Sequence, residues 1–99
     1  MKRLANIHPG EVLKLEFMDP LDISGYRLAG DIGVPPIRIS EIVHGKRAIT
    51  PDTAFRLARY LDTTPEFWIN LQTAYDLEEV RLGRDGEYDK IKPRELAVA

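Results

Sequence analysis

Prolines punctuate this chain. Thr50-Pro51 and Thr64-Pro65 repeat one device, and Pro35-Pro36 is a variant of it. Proline fixes φ near the helical value and lacks an N–H, so it suits the first helical position and opposes a helix interior. A threonine just before it is a good N-cap, because its hydroxyl accepts from an orphan backbone amide. Each pair therefore marks a helix start, and the chain between the marks must fold as short separate helices. Strand-like alternation is scarce, and neither an internal repeat nor a low-complexity tract interrupts the pattern. An all-α fold is expected.

Five helices can be placed. After HPGE, the run EVLKLEFM puts Val12, Leu13, Leu15, Phe17 and Met18 in a first helix over about residues 9–19, which Pro20 is expected to stop. Ser24 is the expected N-cap of a second, with Leu28, Ala29 and Ile32 as its buried stripe and Gly33 at its end. The third begins at Pro36. The fourth buries Ala54, Leu57, Ala58 and Leu61, spaced i, i+3, i+4 and i+7. In the fifth, PEFWINLQTAYDLEEVRL, the residues Phe67, Trp68, Leu71, Ala74, Tyr75 and Leu82 form one apolar face, expected to be core. Ile69, Leu77 and Val80 lie on roughly the opposite side, which suggests a dimer seam or a partner surface. The alternative is that the C-terminal tail folds back over them.

With 99 residues the chain can build one core but not two. Residues 1–82 are expected to form that single domain. Residues 83–99, GRDGEYDKIKPRELAVA, combine glycines, a proline and mixed charge around Tyr88, Ile91 and Leu96, and are expected to be a flexible tail. The absence of cysteine excludes disulfides, thiolate zinc sites and cysteine nucleophiles. No apolar run approaches the ~18 residues of a membrane span, and the basic N-terminus has no apolar h-region, so a soluble, unprocessed, cytoplasmic protein is expected.

The net charge of -2 argues against nucleic-acid binding driven by overall charge. The local balance differs: over 24–47, Arg27, Arg38, Lys46 and Arg47 outnumber Asp31 and Glu41, whereas 48–82 is acidic. That split suggests an anionic partner near 24–47 and a different partner elsewhere.

The stretch SGYRLAGDIGVPPIRISEIVHG meets the steric demands of a helix-turn-helix. Two helices crossing at about 90 to 120° need a small residue at their approach, a turn residue tolerant of positive φ, and apolar anchors on both. Ala29, Gly33, Val34, Ile39 and Ile42 supply these in order. If Pro36 opens the second of these helices, Pro35 is its N-cap, held extended by the proline that follows it. The cost is two missing amides at a helix end that would otherwise offer them to a DNA phosphate. Affinity must then lean on side chains: Lys46 and Arg47 after the helix, Arg27, and Ser24 and His44 for backbone contacts. Base reading falls to Pro36, Ile37, Arg38 and Glu41. Arg38 could grip a guanine edge, Glu41 could accept from cytosine N4, and Pro36 or Ile37 could touch a thymine methyl. Arg38 and Glu41, three apart, are expected to share the outward face; the bland alternative is a surface ion pair between them.

The segments HPGEVLKLEF, SGYRLAGDIGV, EIVHGKRAITPDTAFRLARYL and TPEFWINLQTAYDL together resemble the HigA-type antitoxins of the Xre/lambda-repressor-like helix-turn-helix superfamily, over about residues 8–82. The resemblance implies a five-helix lambda-repressor-like domain and a homodimer on palindromic double-stranded operator DNA that represses its own operon. It further implies neutralisation of a HigB-type, RelE-like mRNA-cleaving toxin, with no enzymatic activity, no cofactor and no small-molecule substrate. Two departures stand out. Gly25 occupies a position where many relatives carry a phosphate-contacting glutamine, and the PPI start of the third helix is unusually apolar. Glu41 and His44 share the i, i+3 spacing of di-iron bundles, but the second Glu-x-x-His that such a site needs is absent. The competing readings are an Xre-type regulator without a toxin and a protein-binding module that has lost DNA binding.

Overall fold

The computed structural model describes residues 6–84 and 86–95. Asp85 and residues 96–99, which include Leu96 of the expected tail, lie outside the described residues. We label the helices α1 (Pro9–Val12, Leu13–Met18 and Asp19–Leu21, unbroken), α2 (Gly25–Ile32), α3 (Pro36–Val43), α4 (Pro51–Leu61) and α5 (Pro65–Gly83). No strand occurs among the described residues, and a 3-10 turn, Tyr88–Lys90, follows α5. The fold is the expected all-α, five-helix arrangement.

The helix starts fall where proline chemistry places them. Ser24, Thr50 and Thr64 are extended N-caps whose hydroxyls accept from the amides of Arg27, Thr53 and Phe67. His8 caps α1, its Nδ1 accepting from the Gly10 amide at 2.8 Å. Pro20 does not stop α1 as expected; the helix runs on to Leu21. The turn before it, Leu13–Met18, is π-helical, with the Asp19 amide bonding back to the Lys14 carbonyl. That wider turn relieves the clash between a proline ring and the carbonyl four residues back, and a proline has no amide to place. The stop comes at Asp22, left-handed at φ 53°, where the Ile23 amide reaches the Met18 carbonyl at 2.9 Å. Gly33, Gly45 and Asp62 end α2, α3 and α4 in the same left-handed way.

The core gathers Leu13 and Met18 of α1, Leu28, Ala29 and Ile32 of α2, Ile39 and Ile42 of α3, Ala54, Leu57 and Ala58 of α4, and Trp68 of α5, joined by Val34 and Ile49 from the connections. Helix α2 packs on α3 and α4 on α5, while α1 touches both α3 and α5. At the α1–α3 contact, a Cβ on Gly10 would stand 1.8 Å from the Ile42 carbonyl oxygen. Only glycine lets the first turn of α1 rest on the last turn of α3.

Helix α5 corrects the expected faces. Its buried residues are Trp68 and Gln72, with Ile69 and Leu71 half-buried beside them; Phe67, Ala74 and Leu82 are exposed. A polar group decides this. Gln72 Oε1 accepts the buried Ile49 amide at 2.8 Å, so the glutamine must face inward and rotates the buried line toward Ile69. Ile69 therefore packs against the core rather than opposite it. Leu77 and Val80 stay 51% and 40% exposed, so residues 86–95 do not cover them.

Candidate nucleic-acid interface

The turn between α2 and α3 is made by Gly33 at φ 76°. Pro35 is extended (φ -62°, ψ 141°) and Pro36 is the first helical residue, as the proline pair requires. Helix α3 has no side-chain N-cap. Its first turn closes only through the Arg38 amide on the Pro35 carbonyl at 3.0 Å.

Around α3, Ile39 and Ile42 are fully buried, and on the opposite side Ile37 is 64% exposed, with Ser40 and His44 exposed beyond it. Arg38 and Glu41 do not share that outward face as expected, and they do not pair with each other. Arg38 turns to the flank, half-buried, with Nη1 3.3 Å from Asp52 Oδ2 on α4. Glu41 Oε1 takes Arg47 Nε at 2.7 Å and Nη2 at 2.6 Å. The physical reason lies off the helix: Asp52 draws Arg38 toward α4 and Arg47 draws Glu41 toward the end of α3, each long side chain reaching an opposite charge outside its own helix.

Asp52 belongs to a brace that sequence reading missed. The same Oδ2 takes Arg56 Nε at 3.0 Å, and Arg56 Nη1 donates to the Ile32 carbonyl at 2.8 Å. A chain of charge-assisted bonds thus runs from α3 through α4 to the end of α2 and holds the crossing of the two helices. The i, i+4 acid–base pair in PDTAFR was a visible signal, but its acceptor in the turn was not. Ser40, on the outward face one turn after Ile37, was missed as well.

The flanking groups follow. Ser24 is occupied as a cap, accepting from the Arg27 amide at 3.0 Å. Arg27 Nε reaches Asp31 Oδ2 at 3.0 Å, and the Tyr60 hydroxyl donates to the same carboxylate at 2.5 Å. Foremost the Tyr60 bond, and then Arg27, hold the Asp31 carboxyl below its ordinary range, while the same bond raises the tyrosine. His44 Nδ1 is 2.7 Å from the Ser40 carbonyl, which makes it a helix-end group. Lys46 and Arg47 follow, exposed. The N-terminal turn of α2 lies beside α3: Gly25, Tyr26, Pro36, Ser40 and His44 line one shallow groove, and Ser24, Gly25 and Arg27 line its neighbour. A Cβ on Gly25 would meet Ile39 and Met18 only at ordinary contact, so the missing glutamine leaves open space rather than a filled site. Among the described residues no group of three or more His, Cys, Asp or Glu could hold a metal, and no helix is long and apolar enough to cross a membrane.

The helix-turn-helix family model matches residues 13–68, from α1 to the start of α5. Virulence-associated protein I of Dichelobacter nodosus is 50% identical over 72 residues, which cover 73% of this chain and 67% of that relative. Antitoxin HigA-1 of Vibrio cholerae is 39% identical over 84 residues, covering 85% of this chain and 79% of that protein. The solved structure of Pseudomonas aeruginosa antitoxin HigA with the higBA promoter superposes with a TM-score of 0.86 at 39% identity, over 90% of this chain and 98% of that one. The chain belongs to the HigA-type antitoxins of the helix-turn-helix family. The span matched by the helix-turn-helix model contains α2, the turn at Gly33 and α3. Lys46 and Arg47 leave that helix at its C-terminal end.

Proposed function

We propose that this protein is the antitoxin of a type II toxin–antitoxin module: as a homodimer it binds the operator of its own operon and represses it, and it neutralises a HigB-type, RelE-like mRNA-cleaving toxin. The observation that carries the proposal is the open, exposed start of α3, flanked by cations, on a fold shared with a HigA solved with its promoter. Helix α3 lies in the major groove with Pro36, Ile37, Arg38 and Glu41 toward base edges. Ser24, Arg27, His44, Lys46 and Arg47 meet the phosphates. Arg38 or Glu41 can hydrogen-bond a base only by leaving its partner, Asp52 or Arg47. Exposed pairs of this kind are worth less than about 1 kcal/mol, so the exchange is cheap. Leu77 and Val80, with Ile69 at their inner edge, form the seam for the second copy or the toxin. Residues 1–82 act as one unit and 83–99 as its tail.

Because the two prolines remove amides from the helix start, affinity depends on side-chain cations and falls steeply with salt. Fluorescence anisotropy of the full chain on DNA from upstream of its own gene tests this. Lys46→Ala is expected to weaken binding to all sequences alike and to lower the salt slope by about one. If neither the protein nor its complex with the neighbouring gene product binds that DNA, the repressor reading is wrong. The toxin half stands or falls separately, on whether a small basic ribonuclease-like product encoded beside this gene co-purifies with the chain.

A further inference from the structure

The outward face of α3 is chemically one-sided. Pro35 and Pro36 offer ring methylenes, Ile37 offers an aliphatic side chain 64% exposed, and Tyr26 stands beside them on α2, 79% exposed. The two side chains that could read a base by hydrogen bonds at fixed geometry are both engaged in ion pairs within the chain, at its surface. Arg38 lies on the flank, half-buried at Asp52, whose carboxylate Arg56 also holds. Glu41 has two nitrogens of Arg47 on one oxygen. What points outward is apolar, with the Ser40 hydroxyl one turn further on.

Single exposed apolar residues are ordinary, but here several adjoin at the end of a helix whose first turn lacks a side-chain cap. Arg27 stands in the first turn of α2 and Lys46 and Arg47 follow α3; Arg27 and Arg47 are shared with Asp31 and Glu41, and these exposed cations can turn to a polyanion, which the patch suits better than a neutral protein surface. The major groove offers apolar sidewalls in one form, the C5-methyl group of thymine; guanine, adenine and cytosine present donors and acceptors there.

We propose that this protein selects its operator chiefly through thymine methyl groups, contacted by Ile37 and Pro36, and not through a guanine gripped by Arg38. Each half-site accordingly presents one or two thymines to the start of α3, and Ser40, able to donate or accept, tolerates either purine beside them. Arg38 acts as a positioning residue, tied by Asp52 to α4 and through Arg56 to the end of α2. This inference rests on the operator-binding reading above.

Uracil differs from thymine by that methyl group alone, so the test replaces each thymine of a bound half-site by deoxyuridine, one at a time, and measures the affinity of the full chain. One or two positions are expected to lose about fourfold each, the transfer value of one methyl group. In Ile37→Ala, whose side chain is exposed and carries no core packing, the thymine that Ile37 contacts is expected to lose most of its fourfold preference over uracil, while a thymine contacted by Pro36 keeps its own. In Arg38→Ala the thymine preference should persist. If the thymine operator binds with steep salt dependence but uracil at every position binds equally well, methyl reading is wrong and operator binding stands. If Arg38→Ala instead erases discrimination at a G·C pair, the guanine grip is right and this inference falls. Binding to neither fragment would remove the operator reading and this inference with it.

Discussion

Helices α4 and α5 begin as α3 does, with proline at the first helical position, yet their ends are finished differently. Thr50 accepts the Thr53 amide at 3.5 Å and Thr64 accepts the Phe67 amide at 3.1 Å. Helix α3 has Pro35 in the capping place, which sets the backbone and supplies no acceptor. Helices α1 and α2 also close with side chains, His8 and Ser24. Among α1 to α5, α3 alone starts without a side-chain acceptor, and its first turn is exposed and apolar. A local rule broken at one place and obeyed at its neighbours is what a functional or strained surface is expected to show.

An uncapped helix must be held by its neighbours, and the strongest way to break the comparison is to remove that hold. In Gly10→Ala the new Cβ would meet only backbone: the Ile42 carbonyl oxygen at 1.8 Å, its carbon at 2.6 Å and Val43 Cα at 3.0 Å. No side chain can yield there, so α1 must lift off the end of α3. A loss of at least about 3 kcal/mol is expected, read as a large fall in the thermal midpoint. A midpoint close to the parent's would show that α3 does not depend on α1.

A smaller effect is expected at the far side of the core. Gln72→Leu leaves the Ile49 amide buried without an acceptor, at a cost of about 1 to 3 kcal/mol in urea unfolding. A neutral result would mean that water or another group replaces the glutamine, and that the orientation of α5 is set by Trp68 alone.

These two residues also show what the sequence could and could not disclose. Helix number, starts and most core positions were legible because proline, threonine and glycine act locally: Pro36, Pro51 and Pro65 open helices where expected, and Gly33 turns left-handed where a turn was needed. The faces of α5 were not, because the burial of Gln72 depends on an amide 23 positions away, and apolar periodicity ranks glutamine as surface. The extension of α1 past Pro20 needed a π turn that no residue type announces. At the interface, the proline start and the cationic flanks could be read in advance. The withdrawal of Arg38 to Asp52 could not, since it is a contact between helices that spacing along one helix does not predict.

The caps themselves sharpen the comparison at lower energy. Thr64→Ala removes the acceptor for the Phe67 amide and is expected to cost about 1 kcal/mol. Pro35→Ala removes no hydrogen bond from α3 and should cost only the unfolded-state rigidity of one proline, about 0.5 kcal/mol. Equal losses in chemical denaturation would mean that the threonine caps contribute nothing beyond their backbone shape, and the contrast between α3 and its neighbours would disappear.

The smallest effect separates the caps from one another, because His8 alone among Ser24, Thr50, Thr64 and itself can titrate. Its Nδ1 accepts the Gly10 amide at 2.8 Å and its ring stands edge-on to Tyr75 at 4.8 Å, so the cap requires the neutral ring. Burial lowers its pKa below the ordinary 6.5, against a weaker opposing pull from Asp76 and Glu11. A histidine with a lowered folded pKa binds protons less readily when folded than when unfolded. Its contribution to stability is therefore complete above about pH 6.5 and is lost as pH falls through the lowered folded value. Carboxylates titrate in the acid range too, so the parent must be set against His8→Asn, which supplies a good cap that does not ionise. Between about pH 7.5 and pH 5.5 the parent's thermal midpoint is expected to fall further than that of His8→Asn. Parallel curves would mean that the start of α1 survives protonation of its cap, and that the packing of Gly10 on α3, rather than the hydrogen bond to His8, holds that end of the helix in place.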